Sequence, residues 1–150
     1  QDPAKEHQTE RWLCFRIAED EHFAIALECV QRIERIQSEA IEHVGGKKVM
    51  KNGGCSLPLL SLDDIATIKP RAEMAFAEVI TVRVAGREVG LLATPPVDAV
   101  EVSVEIDDTT LRQKCIRGSA IVRDNTTLIV DVDAAVKHSY PEWFYHTEAA

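Results

Sequence analysis

Positive charge is scarce in this sequence, and so are aromatic side chains. The 150 residues include 17 lysines and arginines against 25 aspartates and glutamates, which gives a net charge of -8, and aromatic residues make up only 5%. A protein that binds nucleic acid needs clustered positive charge to neutralise phosphates. The nearest basic cluster, formed by Lys47, Lys48 and Lys51, is short and is typical of a solvated loop. The composition therefore disfavours nucleic acid as a partner.

Long apolar runs and paired cysteine motifs are also missing. No stretch of 18 apolar residues and no secretory signal pattern occurs, so the sequence predicts neither membrane insertion nor secretion. The four cysteines are Cys14, Cys29, Cys55 and Cys115, and no two of them have the CxxC spacing of zinc knuckles and thioredoxin-type sites. Their apolar neighbours favour reduced thiols that pack as small hydrophobic side chains.

No recognisable catalytic or cofactor-binding motif is present. GxSxG, GxxxxGK[ST] and GxGxxG are absent, and the five histidines show neither HxxxH nor HExxH spacing. Close acidic pairs such as Asp63 and Asp64 come at turns or helix starts, where capping explains them. These absences predict a non-enzymatic protein without a cofactor or a metal ion. The alternative from another class is a small β-barrel enzyme or ligand-binding domain that uses Cys29 or Cys55.

What the sequence does contain is a series of short apolar strands. Hydrophobic residues make up 45% of the chain and charged residues 28%, which is near the globular average. Alternating apolar residues on both sides of short polar turns predict three β-hairpins, and residues 97–106 alternate as a half-exposed strand. The hairpins join residues 12–17 to 23–27, 79–84 to 88–92, and 115–122 to 127–132. Many short strands with hairpin turns predict small barrels or a sandwich.

The segments between these hairpins are less regular. Residues 37–54 are polar and contain two Gly-Gly pairs, which predicts a long loop or a weak strand. Short helices are predicted at residues 61–68 and 133–138. The alternation also predicts that ten side chains are largely buried. These are Phe15, Ile17, Phe23, Ile25, Ile80, Val82, Leu91, Ile121, Leu128 and Val130.

Three of the few aromatic residues stand together near the end of the chain. Trp143, Phe144 and Tyr145 follow shortly after Pro141. Such a cluster predicts a tail that packs back on the barrel, and the alternative is an exposed anchor for a partner.

The segment of residues 23–36 changes its apolar spacing part-way. Its first half alternates as a strand does, whereas Val30, Ile33 and Ile36 follow three apart. A two-residue period that passes into a wider one predicts a strand that bends into a docking segment. Apart from the isolated Cys29, the segment holds no usual nucleophile or base and no metal cluster. It therefore predicts a surface that binds another protein.

Four blocks of sequence follow one another in an order that matches a known family. They read WLCFRIAEDEHFAIALECVQRI at residues 12–33, GCSLPLLSL at 54–62, VGLL at 89–92 and IRGSAIVRDNTTLIVDV at 116–132. In this order they resemble the first hairpin with its V-x-E-I segment, the RG-x-x-x-P-[IV]-x-x-L block, the VG-[IL]-[IVL] strand and the closing hairpin of the CheW-like domain. This domain forms the adaptor CheW of bacterial chemosensory systems and the regulatory domain of the kinase CheA. The resemblance covers roughly residues 11 to 136.

The resemblance implies an all-β fold of two small SH3-like β-barrels packed side by side, with short helices. It implies a domain at residues 11–138. The polar residues 1–10 predict a flexible tag or linker before this domain, and residues 139–150 are expected to form a C-terminal tail. It also implies a non-enzymatic scaffold or adaptor that binds chemoreceptor cytoplasmic tips, the CheA-type histidine kinase, or both. Such a module works in the cytoplasm at membrane-associated receptor arrays, and its family uses an apolar groove between the barrels and the barrel ends.

Two positions depart from the family pattern in the docking segment and the second block. The motif arginine of the second block falls at Gly53, and the glutamate of V-x-E-I is Arg32. The arginine supports receptor or kinase coupling in the family, so these changes imply a divergent member whose preferred partner differs from that of an ordinary CheW. It would be a variant adaptor, an array-localising protein of the ParP type, or the regulatory domain of a CheA-type kinase. The residues expected to bind or border a partner are Val30, Arg32, Ile33, Gly53, Gly54, Cys55, Leu57 and Trp12.

Overall fold

Short β-strands dominate the structure. The computed structural model describes residues 9–18, 21–52, 55–65, 74–109 and 114–144. The strands in these ranges are β1 (Thr9–Arg16), β2 (His22–Ala26), β3 (Val30–Gln37), β4 (Glu42–Val44), β5 (Lys47–Asn52), β6 (Cys55–Leu60), β7 (Phe76–Val84), β8 (Arg87–Ser103), β9 (Ile116–Val122) and β10 (Asn125–Val130). An α-helix, α1, spans Val132–Ser139, residues 142–144 are also helical, and 3-10 turns span Leu27–Cys29, Ser38–Ala40 and Leu62–Asp64. No helix in the described ranges is long and apolar enough to span a membrane.

Strands β3 to β7 and the first half of β8 form barrel 1. Strand β7 pairs antiparallel with β3 on one side and with residues 87–93 of β8 on the other. Strand β8 also pairs parallel with β6, and antiparallel pairing continues from β6 to β5 and β4. The spatial order is therefore β3-β7-β8-β6-β5-β4, with β3 and β4 at its two ends.

Strands β1, β2, β9, β10 and the second half of β8 form barrel 2. Strand β1 pairs antiparallel with β2 and with β8, β2 pairs parallel with β10, and β10 pairs antiparallel with β9. The chain that follows β8 then returns to β9, where Asp107 and Ser119 exchange backbone hydrogen bonds of 2.8 and 2.9 Å. This single bridge links the two ends of the row of strands.

Gly118 permits the bridge that links the ends of barrel 2. A Cβ atom at this position would collide with the backbone carbonyl group of Asp107. A backbone atom cannot rotate away as the end of a side chain can, so the space at position 118 admits only glycine without a shift of the chain.

Strand β8 belongs to both barrels. Its pairing changes at Pro95 and Pro96, opposite a register shift between Cys14 and Arg16 of β1. Proline has no backbone N–H to donate to a ladder, so an interruption is expected there. One 17-residue strand thus carries the chain from barrel 1 into barrel 2.

Buried apolar side chains form three clusters. One lies inside barrel 1 and includes Leu57 and Val79, and another lies inside barrel 2 and includes Trp12. The largest cluster, the central core, combines side chains from both barrels. Alternation along β7 shows how one strand serves two clusters, because Val79 faces the interior of barrel 1 whereas Ile80 and Val82 face the central core. Besides these two, the central core includes Leu13, Phe15, Ile17, Phe23, Ile25, Leu60, Leu62, Val84, Val89, Leu91, Val130 and Val136.

Most of the predicted elements are confirmed. The three predicted hairpins are β1–β2, β7–β8 and β9–β10, and α1 contains the predicted helix at 133–138. The polar segment 37–54 holds a β4–β5 hairpin, because Gly45 and Gly46 supply the two left-handed residues of a tight turn. The described part of the predicted helix at 61–68 is only a 3-10 turn, and residues 66–68 lie outside the described residues. Strand β1 begins at Thr9, inside the segment predicted as a linker.

The predicted core needs one correction. Eight of its ten residues are buried: Phe15, Ile17, Phe23, Ile25, Ile80, Val82, Leu91 and Val130. Leu128 is half-buried and packs against the central core. The prediction for Ile121 is wrong, since its side chain is 64% exposed. Its neighbours Ala120 and Val122 face the interior of barrel 2, and alternation then places Ile121 on the outside.

Candidate partner-binding face on barrel 1

A β-bulge in β3 brings two of the predicted contact residues to one face. Cross-strand partners point to the same side of a sheet, and Val30 lies opposite Val82 while Ile33 lies opposite Ile80. In a regular strand, residues three apart point to opposite faces. The register shift between Val30 and Arg32 inserts the extra residue that reverses this relation. Val30 and Ile33 therefore share one surface, which we call the outer β3 face.

The outer β3 face borders the central core. Val30 is half-buried and packs against that core, and Ile33 is 39% exposed. Ile36, the third residue of the apolar spacing, points the other way and packs against the cluster inside barrel 1. The three-residue spacing in the sequence thus serves two surfaces, and only its first two members lie on the outer β3 face.

An ion pair and an exposed aromatic ring extend the outer β3 face along the sheet. Arg35 Nε and Nη2 donate to Glu78 Oε2 at 3.2 and 3.0 Å, and the Glu78 side chain is almost buried. Beyond this pair, Gln37 lies opposite Phe76, which is 46% exposed. Among the described strands β3 pairs with β7 alone. The face therefore combines apolar side chains with a strand edge that no described strand covers.

Arg32 lies on the opposite face of β3, where two carboxylates hold it. Its Nε donates to Glu34 Oε1 at 3.2 Å, and its two Nη atoms donate to the two carboxylate oxygens of Glu88 at 3.3 and 3.5 Å. Arg83 donates to the same Glu88 at 3.5 Å. Hydrogen bonds to Glu88 and then to Glu34 raise the pKa of the Arg32 guanidinium. Two arginines and two glutamates carry no net charge, so the chain itself compensates the positive charge of Arg32.

The C-terminal strap, residues 140–144, packs against barrel 1. The rings of Tyr140 and Trp143 stack with their centroids 4.4 Å apart. Lys47 Nζ lies 4.7 Å from the centre of the Tyr140 ring and donates to the Ser139 carbonyl at 2.6 Å. Arg87 lies over the Trp143 ring at 5.1 Å. Because α1 follows β10 of barrel 2 while Lys47 and Arg87 begin strands of barrel 1, the strap ties the two barrels together.

The strap decides between the two predictions for the aromatic tail. Trp143 and Phe144 are half-buried and pack against the central core, so the prediction of a tail that packs back is confirmed for them. Tyr145 lies outside the described residues.

Several other predicted contact residues do not join the outer β3 face. Trp12 is 3% exposed inside barrel 2, and Leu57 is buried inside barrel 1, so neither lines a surface. Their strands turn these side chains toward the interior clusters, and a partner would have to open a barrel to reach them. Gly53 and Gly54 lie outside the described residues, and Cys55 is described only in its backbone, at the start of β6.

The described side chains offer little for catalysis or metal binding. Burial is the main cause that raises the pKa of Cys14, Cys29 and Cys115. Glu28 raises the pKa of Cys29 further, whereas Arg123 opposes part of the rise at Cys14. A raised pKa keeps a thiol protonated and weakly nucleophilic near neutral pH. In the part of the chain that the structure describes, no group of three or more His, Cys, Asp or Glu side chains is placed to hold a metal ion.

The chain is similar to proteins of a known family and to a solved structure. A family model of the CheW-like domain matches residues 11–139. The chain belongs to the CheW-like domain family. Among solved structures, it is similar to the scaffolding protein TtCheW from Thermoanaerobacter tengcongensis, with a TM-score of 0.69, 15% sequence identity, and coverage of 87% of this chain and 89% of that chain. The comparison with curated proteins gave no match.

Family membership and structural similarity bear on the fold class and the general role of this CheW-like domain. The predicted fold class is confirmed, because the chain is mostly β and matches a fold of two SH3-like barrel subdomains. Membership supports a scaffold or adaptor role in chemotaxis and places the chain in a non-catalytic family. It also implies interaction with chemoreceptors and CheA in receptor arrays.

Proposed function

We propose that this CheW-like domain is a scaffold module of a bacterial chemosensory array, which binds chemoreceptor cytoplasmic tips, the CheA-type kinase, or both, through the outer β3 face. The observation that carries the proposal is the bulge in β3, which places Val30 and Ile33 side by side. These two residues stand at the apolar positions of the V-x-E-I segment. The module acts without catalysis, in the cytoplasm at membrane-associated arrays.

The chemistry of the outer β3 face suits a helical partner. An amphipathic helix docks by laying apolar side chains against an apolar surface, and a few central anchors carry most of the binding energy. Val30 and Ile33 keep part of their surface exposed next to the central core, so a partner would complete their burial. Covering the exposed remainder of each side chain contributes roughly 1 kcal/mol. A pair of such anchors suits an interaction of moderate strength.

The direct test is a titration of receptor tips and of kinase domains with the wild type, Val30→Asp and Ile33→Asp. A carboxylate placed in an apolar contact loses its water without gaining a partner, so each variant should bind about tenfold more weakly or worse. Circular dichroism and thermal melting check that each variant is folded. Residue 30 faces the central core, so Val30→Asp could fail to fold. In that case the affinity of Ile33→Asp alone decides the test. If the folded variants bind every partner as tightly as the wild type, the outer β3 face is not the site.

The glycine at position 53 allows a second test of partner choice. The family's arginine at this position supports receptor or kinase coupling, so we expect Gly53→Arg to raise the affinity for a receptor tip by about threefold to tenfold, the effect of one charged contact. A titration of the receptor tip with the two proteins measures this. An unchanged affinity would mean that receptor contact does not depend on this position.

A further inference from the structure

Arg32 reaches across a strand at the point where β3 is least regular. Residue 32 lies opposite Thr81 of β7, and its guanidinium binds Glu88 of β8, the next strand along. Glu88 is itself the cross-strand partner of Arg83, which binds the same carboxylate. The side chain therefore spans from the edge strand over its neighbour to a third strand.

The backbone at this point is held by the pairing of β3 with β7 and by a hydrogen bond that the Val30 N–H donates to the Leu27 carbonyl of the preceding 3-10 turn. A bulge leaves one residue without a partner in the ladder and increases the local twist. Among the described strands β3 pairs only with β7, so no second described strand fixes the bulge from the other side. A side-chain contact that anchors β3 directly beside the bulge is placed to set its geometry.

The position of the bulge decides which side chains the outer β3 face presents. If the extra residue moved along β3, Val30 and Ile33 would point to opposite faces, because each shift by one residue turns a side chain over. Arg32 lies between Val30 and Ile33 in sequence, and its contact with Glu88 is on the opposite side of the strand.

We propose that Arg32 is a positioning residue, which acts through Glu88 to fix the bulge and so holds Val30 and Ile33 together on the partner-binding surface. It does not contact the partner. The charge reversal relative to the V-x-E-I segment is then matched within the chain by Glu88 and Glu34, and it does not by itself select a partner of opposite charge. The role in binding rests on the proposed function, whereas the anchoring of the bulge does not.

Four proteins test whether Arg32 positions the bulge or contacts the partner itself. They are the wild type, Arg32→Glu, Glu88→Arg, and the variant that carries both substitutions. Arg32→Glu places three carboxylates together, and Glu88→Arg places three guanidinium groups together. The double variant restores two positive and two negative groups in a swapped arrangement. Opposite charges at positions 32 and 88 are therefore present in the wild type and the double variant and absent from both single variants, whereas each single variant keeps one of the other pairs, Arg83 with Glu88 or Arg32 with Glu34.

The first measurement needs no partner. Amide hydrogen exchange of residues 30–33, followed by NMR, should be about fivefold faster in each single variant, as expected for the loss of partly exposed ion pairs, and close to the wild-type rate in the double variant. Equal exchange rates in all four proteins would show that the contact does not hold the bulge and would overturn the proposal.

The second measurement is the affinity of the same four proteins for a receptor tip and for a kinase domain. Each single variant should bind about threefold to tenfold more weakly, and the double variant should return to within about twofold of the wild type. A double variant that stays as weak as Arg32→Glu would show that Arg32 itself touches the partner, which contradicts a positioning role. If the wild type binds neither partner, the proposed function fails, and the exchange measurement still decides whether Arg32 anchors the bulge.

Discussion

The two barrels differ in how their strand rows end. In barrel 2 the chain after β8 returns to β9, and the bridge between Asp107 and Ser119 joins the two ends. Barrel 1 leaves β3 and β4 as ends that no described strand covers. The open barrel also carries the bulge that presents Val30 and Ile33. From this difference we propose that barrel 2 serves mainly as a frame and that barrel 1 presents the partner-binding surface.

Exposed apolar side chains follow the same division. Five large apolar side chains are exposed among the described residues, and four of them, Ile33, Val44, Met74 and Phe76, belong to barrel 1 or to the segment just before β7. The fifth, Ile121, stands on β9 of barrel 2. Exposed apolar side chains that occur together mark interaction surfaces more often than single ones do. Barrel 1 is therefore the better candidate for docking.

One glycine in each barrel tests whether the bridge that joins the strand ends of barrel 2 contributes more to stability than the packing around Gly90 in barrel 1. Gly118→Ala puts a Cβ atom against the backbone of Asp107, whereas Gly90→Ala puts one against the side chains of Val79 and Leu59. Side chains can move and the bridge cannot, so we expect a loss of about 3 kcal/mol in the free energy of unfolding at position 118 and about 1–2 kcal/mol at position 90. Urea denaturation of the two variants measures both losses. A smaller loss at position 118 than at position 90 would contradict the frame role of barrel 2.

The central core offers a comparison between a fully buried and a half-buried side chain. Ile25 is 1% exposed and Leu128 is half-buried, although both pack in the same core. Truncation of a buried isoleucine removes its transfer energy and leaves a cavity, so Ile25→Ala should cost about 3 kcal/mol. Leu128→Ala should cost about 1–2 kcal/mol, because part of that side chain is already in water. Thermal and chemical unfolding check the order, and equal losses would mean that Leu128 is more buried than described.

The C-terminal strap should contribute less than the central core. Trp143 is half-buried, stacks on Tyr140 and lies under Arg87. We expect Trp143→Ala to lower the free energy of unfolding by about 1–2 kcal/mol and Arg87→Gln by about 0.5 kcal/mol, the size of one exposed cation–π contact. The measurement is urea denaturation of each variant. A loss below about 0.5 kcal/mol for Trp143→Ala would show that the strap does not help to hold the barrels together.

The parts of the fold that sequence alone predicts are the local ones. Each predicted hairpin joins neighbouring segments, and alternation together with a turn is enough to reveal it. The pairing of β3 with β7 joins distant segments, and no local signal shows it. The bulge in β3 depends on that pairing, so the wider spacing at Val30 and Ile33 reads as a bend of the strand. The exposed Phe76 and the role of Glu88 as a partner of Arg32 are hidden for the same reason.

Some single side chains are also misread from sequence. Alternation gives two opposite faces for a strand and does not say which one is inside. For β9 the small residues Gly118 and Ala120 fill the interior, so the larger Ile121 lies outside against the usual preference. Trp12 and Leu57 belong to interior faces in the same way, although their motifs suggested a contact surface.

The central claim is that partners dock on barrel 1, and two exposed isoleucines test it most directly. Ile33 lies on β3 of barrel 1 and Ile121 on β9 of barrel 2, and both are exposed enough that aspartate should leave the fold intact. We expect Ile33→Asp to weaken binding to a receptor tip or kinase domain by about tenfold or more in a calorimetric titration, and Ile121→Asp to stay within about twofold of the wild type. Wild-type affinity for Ile33→Asp together with weakened binding for Ile121→Asp would place the docking surface on barrel 2 and contradict the account.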